Sequence, residues 1–119
     1  MIQRVLRRKP FKGGMRRIRL WQMSQEILSL AIFELLPGEE QEALATLREL
    51  KSVLEISGYS RDFLFRDSRS QQYVLLRYWK SEEALHNAHE DPKVHRWWAK
   101  LGHEIQVLKV HERLEEAGL

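Results

Sequence analysis

Residues 72–91 read QYVLLRYWKSEEALHNAHED, and the apolar spacing changes partway along them. From 72 to 80 the residues are β-branched, apolar and aromatic, which predicts a strand. Tyr73, Leu75 and Trp79 fall on one face of that strand and Val74, Leu76 and Tyr78 on the other. Ser81 followed by Glu82 and Glu83 predicts a helix start, and 82–90 continues as a helix. A strand apolar on both faces needs cover on both, which one layer of helices cannot supply.

Working outward, residues 59–67 (YSRDFLFRD) alternate loosely and predict a strand that joins 72–80 in a hairpin across the polar turn 68–71. Upstream, 39–56 carries Ala43, Leu44, Leu47, Leu50, Val53 and Leu54 at spacings of three and four, one stripe of an amphipathic helix. Glu39, Glu40 and Glu42 load its first turn, where the helix dipole favours acids, and Gly58 stands just past its end. Before it, the apolar run 27–36 (ILSLAIFELL), stopped by Pro37-Gly38, predicts a strand buried on both faces. Downstream, Pro92 opens a further helix to about Leu101. Residues 104–112 alternate strictly, with Ile105, Val107, Lys109 and His111 on one face and Gln106, Leu108 and Val110 on the other, a fourth strand. The order is β-α-β-β-α-β with its second helical region broken in two. It predicts an α+β, ferredoxin-like antiparallel sheet with helices on one face. The bare face is expected to meet a second copy in a two-fold homodimer.

At 119 residues the chain is one domain's worth, with a basic arm over 1–23 ahead of the domain at 24–119. Residues 1–26 hold eight Lys/Arg against one acid, while 27–119 hold twelve against sixteen. The arm is expected to be poorly ordered. It also reads as a surface for nucleic acid or anionic membrane, or, since Met23 begins a domain of its own, as translation from an upstream start. With no cysteine, disulfides, thiol nucleophiles, thiolate zinc and iron–sulfur clusters are excluded, and a reducing compartment, the cytoplasm, is the expectation. No apolar run is long enough to span a bilayer.

From about Ser24 to Glu115 the chain resembles the antibiotic-biosynthesis monooxygenase (ABM) superfamily of dimeric α/β barrels. The resemblance rests on Leu36-Pro37-Gly38-Glu39, on Gly58 before the second strand, and on the block from Tyr73 to Leu85 that ends in Ala88-His89-Glu90-Asp91-Pro92. Trp79 and His89 stand one residue farther apart than the family usually has them. The resemblance implies oxidation of a small aromatic or quinol-like substrate by O₂ with no metal or flavin, His89 being the base. Trp79, Tyr73, Arg77, Trp97 and Trp98 are then candidates to line or close the pocket, with Arg77 facing a phenolate. Each has a plainer reading. Trp79 reads as core, His89 as a bridge between helix ends, and Arg77 as half of an ion pair across the sheet. Trp97 and Trp98 are adjacent on a helix and face different ways.

Two alternatives accompany this reading. His86 and His89 share a helix face near several acids, but the spacing is not a recognised metal motif. The haem-degrading branch resembles itself in an Asn, a Trp and a His that here correspond to Ala31, His89 and Ala99. Its mechanism is therefore disfavoured, although His95 and His103 lie nearby. The alternative from another class is a non-enzymatic dimeric module that binds a small ligand.

Overall fold

The computed structural model describes residues 26–118. The arm over 1–23, with the nucleic-acid or membrane contact suggested for it, lies outside the described residues. The elements in chain order are β1 (Ile27–Leu35), α1 (Glu40–Ile56), β2 (Ser60–Arg66), β3 (Gln72–Trp79), α2 (Glu82–His89), α3 (Pro92–Gly102) and β4 (Ile105–Leu114). The strands form one sheet in the order β2-β3-β1-β4, every neighbouring pair antiparallel. This is the ferredoxin-like α+β plan predicted from the pattern.

Side-chain parity decides what each strand residue meets. Phe33, Ala31, Ile27 and Leu35 of β1 pack with Leu75, Tyr73 and Trp79 of β3 on the helical side. There they meet Leu47, Leu50 and Leu54 of α1, Ala88 of α2, and Val94 and Leu101 of α3. Tyr73 stacks on Phe33, ring centroids 5.9 Å apart. On the other side, Leu28, Leu30 and Ile32 are only half-buried, so the single chain covers one face of β1 and not both as the apolar run suggested. The cause is topological, since both crossovers place their helices on the same side. The outer face continues through Phe63 and Phe65, which are 42% and 54% exposed.

β4 departs from the strict alternation expected of it. Its register against β1 shifts between Ile32 and Phe33 and again between Leu28 and Leu30. Val107 therefore pairs with Phe33 and Val110 with Ala31, while Lys109 pairs with Ile32 and His111 with Leu30. Directly paired residues share a face. Val107 and Val110 thus fall on the helical side, and Lys109 and His111 on the outer side. Each bulge adds a residue that reverses the parity beyond it, and sequence alternation alone cannot register that.

The split between α2 and α3 follows from local chemistry. The Ser81 hydroxyl accepts from the Ala84 N–H at 3.0 Å and starts α2. Asp91 accepts from the Lys93 N–H at 2.9 Å and starts α3, with Pro92 in the first turn, where its missing N–H costs nothing. The Tyr59 hydroxyl donates to Asp91 at 2.8 Å and ties this junction to the start of β2.

A polar group also sits under α1 and α3. Glu104 is 5% exposed, and its Oε1 has no hydrogen-bond partner among the described residues. The Lys100 ammonium donates to Glu104 at 2.5 Å and to Thr46 at 3.0 Å. Burial alone pushes the Glu104 carboxyl up, but hydrogen bonds from Lys100 and Thr46 and the ammonium charge outweigh it, so its pKa ends below the ordinary value. A carboxyl depressed on folding stabilises above its unfolded pKa and loses that contribution as pH falls through the folded one. Glu104→Gln is therefore expected to lower the melting temperature by several degrees at neutral pH, the gap closing toward acid. Thermal unfolding by circular dichroism from neutral to acidic pH checks this, and a gap constant with pH would contradict it.

Candidate active site

The helical side of the sheet is not filled along its whole length. Between β1, β3 and β4 below and α2 and α3 above lies a cavity of about 290 Å³. Trp79, Arg77, His89 and Trp98 line it, with Ser29 and Glu112 among the further lining residues. Tyr73 and Trp97 are not among its lining residues. Tyr73 is spent on Phe33. Trp97 lies under the Arg96 guanidinium, 5.8 Å from its ring centre. Of the adjacent tryptophans, it is therefore Trp98 that reaches the cavity.

Trp79 is both core and wall. It is 4% exposed, and its indole N–H donates to the Ser29 hydroxyl at 3.1 Å. The Ser29 hydroxyl in turn donates a hydrogen bond to the backbone carbonyl of Glu112 at 2.8 Å. This short relay links β3, β1 and β4 and fixes the plane of the indole. The signal for Ser29 was present in the sequence, as a lone hydroxyl in an apolar run at the parity of Ala31 and Phe33.

His89 ends α2, and its ring is exposed at the cavity. Its Nδ1 lies 2.8 Å from the Leu85 carbonyl one turn earlier. A carbonyl only accepts, so Nδ1 carries the proton and, in the neutral ring, Nε2 keeps a lone pair. The ring centre stands 6.0 Å from Trp79 and 5.0 Å from Trp98, so the extra residue in α2 has not carried His89 away from the strand tryptophan. His95 stacks on Trp98 at 6.0 Å.

Arg77 lines the cavity but is not free. Its Nε donates to Asp62 at 2.9 Å and its second terminal nitrogen at 2.8 Å, and the two side chains are 12% and 4% exposed. The Ser60 hydroxyl adds a third contact to Asp62 at 3.1 Å. The guanidinium also lies 5.4 Å from the Trp79 ring centre. Arg113, at the end of β4, is likewise held by Glu82 at the start of α2, at 2.9 Å for one of its contacts. Among the described residues no three His, Asp or Glu side chains gather as a metal site would require, and no helix is long and apolar enough to cross a membrane. At the positions of the haem-degrading set, Ala31 is a cavity wall and Ala99 is exposed.

The chain is thus an α+β domain with a ferredoxin-like sheet and a cavity between its helices and strands, walled by aromatics and opened by a histidine. Residues 27–100 match the family described as antibiotic biosynthesis monooxygenase (ABM), and the chain belongs to that family. No curated protein matches it in sequence. Its fold is similar to that of SnoaB, a cofactor-independent oxygenase from Streptomyces nogalater, at 14% identity and a TM-score of 0.64, covering 80% of this chain and 99% of that one. Rv0793 from Mycobacterium tuberculosis is similar at 19% identity and TM-score 0.62, over 79% and 100% of the two chains. A conserved protein from Methanosarcina mazei Go1 is similar at 16% identity and TM-score 0.61, over 80% and 99%.

Proposed function

We propose that the protein is a monooxygenase that oxidises a small aromatic or quinol-like substrate with O₂, with no metal or flavin as cofactor. The observation that carries this is the His89 imidazole, its Nδ1 proton held by Leu85 and its Nε2 left as the acceptor in a cavity walled by Trp79 and Trp98. Membership of the family and the fold shared with a cofactor-independent oxygenase support it.

The chemistry asks little of the protein. Nε2 of His89 takes a proton from an acidic C–H or O–H of the bound aromatic, leaving an electron-rich anion. The anion gives one electron to O₂, and the resulting radical pair combines through a new C–O bond to a peroxide. Loss of the remaining C–H proton with cleavage of the O–O bond leaves a carbonyl, and the departing oxygen leaves as water with the proton returned from His89. One O₂ and one CH₂ become one C=O and one H₂O. Trp79 and Trp98 hold the ring flat and exclude water. Arg77, neutralised by Asp62, shapes the wall beside Trp79 rather than meeting the anion directly.

Two copies are proposed to meet through the outer sheet face, where Leu28, Leu30, Ile32, Val74, Leu76 and Phe63 await cover. Light scattering should then return twice the 14.3 kDa chain mass. The cysteine-free composition supports a cytoplasmic location. The monooxygenase reading is tested with a polycyclic quinol or anthrone, an oxygen electrode and isotopically labelled O₂. One labelled atom is expected in the product carbonyl and one in water, with uptake unaffected by chelators. No uptake across a panel of such substrates would favour the non-enzymatic module.

A further inference from the structure

α2 is eight residues long, and His89 is the last of them. A helix of two turns is marginal by itself, and its final carbonyls have no partner within the helix. The Asn87 and Ala88 carbonyls are met by the N–H groups of Glu90 and Asp91, at 3.1 and 3.2 Å. The next carbonyl, that of His89, is met by a side chain from the other helix. His95, at the end of the first turn of α3, turns its ring back across the junction, and its Nε2 hydrogen-bonds to the His89 carbonyl. A carbonyl only accepts, so Nε2 of His95 carries the proton. The same ring stacks on Trp98 one turn further along α3, with 27° between the planes. Trp98 in turn stands against both His89 and Trp79. His95 is not among the residues that line the cavity. One side chain outside the cavity thus grips the backbone of His89 and the aromatic wall beside it.

We propose that His95 is a positioning residue, holding the last turn of α2 closed so that the His89 ring stays on the Leu85 carbonyl. The inference rests on the reading that His89 is the base of this cavity. The Nδ1 contact of His89 spans residues 85 to 89, the turn that the His95 bond holds at its end. When that turn frays, the ring loses its fixed acceptor and populates both tautomers. The form protonated at Nε2 presents an N–H where the substrate's proton has to go. The hydrogen bond and the stack are separable in their effects. The bond fixes the base and acts on proton transfer, while the stack steadies Trp98 and acts on binding.

Two variants separate the contacts. His95→Phe keeps a ring on Trp98 and removes the donor. His95→Gln removes the ring and keeps an N–H at roughly the reach of Nε2. His95 is exposed, so both are expected to fold and to melt close to the wild type. The first readout needs no turnover. It is the imidazole ¹H–¹⁵N spectrum of the full chain labelled with ¹⁵N-histidine, recorded above neutral pH, where imidazoles are uncharged. The wild type is expected to show His89 as a single tautomer protonated at Nδ1. His95→Phe should convert it to an averaged mixture, and His95→Gln should retain it. The second readout is kinetic, on whichever quinol or anthrone is oxidised. His95→Phe should lower kcat by about ten- to a hundredfold with KM unchanged, as misplacement of a reacting group does. His95→Gln should keep kcat and raise KM severalfold. A residue that merely joined two helices would lower the melting temperature in both variants without splitting kcat from KM. A His89 tautomer unchanged in His95→Phe, a kcat unchanged by it, or the same behaviour from both variants would overturn the proposal. The spectra decide it even where no substrate is oxidised. A tautomer lost in His95→Phe alone, with no oxygen uptake by the wild type, would defeat the monooxygenase reading and leave His95 as the residue that orients His89. Uptake with the tautomer unmoved would do the reverse.

Discussion

His89→Ala is expected to slow oxygen uptake by about 10²–10⁴-fold, the usual contribution of a positioned base, without lowering stability measurably. Its ring is exposed and contributes one hydrogen bond to a carbonyl at a helix end that water can satisfy instead. The variant should therefore melt with the wild type. With His89 as the base of the proposed reaction, uptake by the variant should recover as pH rises toward the substrate's own pKa, where bulk base replaces the imidazole. His89→Gln, which keeps the ring's volume approximately but supplies no base, should behave like alanine. A variant that turns over an identified substrate at the wild-type rate would remove His89 from the mechanism.

Asp62→Asn is expected to be strongly destabilising. Asp62 accepts from Arg77 through both its oxygens, and both side chains are nearly inaccessible to water. Removing one charge of a buried pair leaves the other without compensation, which costs about 3–5 kcal/mol. For a domain of this size that corresponds to a fall in melting temperature of more than ten degrees. The loss is also aimed at the site, since Arg77 packs on the ring of Trp79. The double variant Asp62→Leu with Arg77→Met should recover much of the lost stability, because an apolar pair needs no desolvation. Denaturant unfolding of the three proteins measures this. A single variant as stable as the wild type would show that the pair contributes little.

The elements themselves were legible because each advertises itself locally. Proline and glycine punctuate the chain at Pro37-Gly38 and Gly58, and Gly38 and Gly58 both adopt positive φ. Ser81 and Asp91 supply caps whose side chains bond as their type predicts. The chemistry of Trp79 and His89 was legible from residue type and from resemblance to the family. Their roles were less so, since a tryptophan on a strand and a histidine at a helix end are ordinary in any domain. Tyr73 and Trp97 looked as suitable for the cavity as Trp98, yet one stacks on Phe33 and the other lies under Arg96. Arg77 was read both as facing a phenolate and as half of an ion pair across the sheet; the second holds, its partner being Asp62, fifteen residues away on the neighbouring strand.

The sequence by itself determined where strands and helices begin and end to within a residue or two, the β-α-β-β-α-β order, and the faces of β2 and β3. These depend on neighbours a few residues apart, whose spacing fixes which side a side chain takes. Only the tertiary structure decided the parity of β4, because its two bulges exist only in pairing with β1. It alone decided which tryptophan meets His89, which cations on the wall are already neutralised, and that Ser29 and Glu112 belong to the cavity at all. Those facts depend on strand register and on helices laid across the sheet, where residues far apart in the chain come within hydrogen-bond distance. No local pattern encodes such a distance.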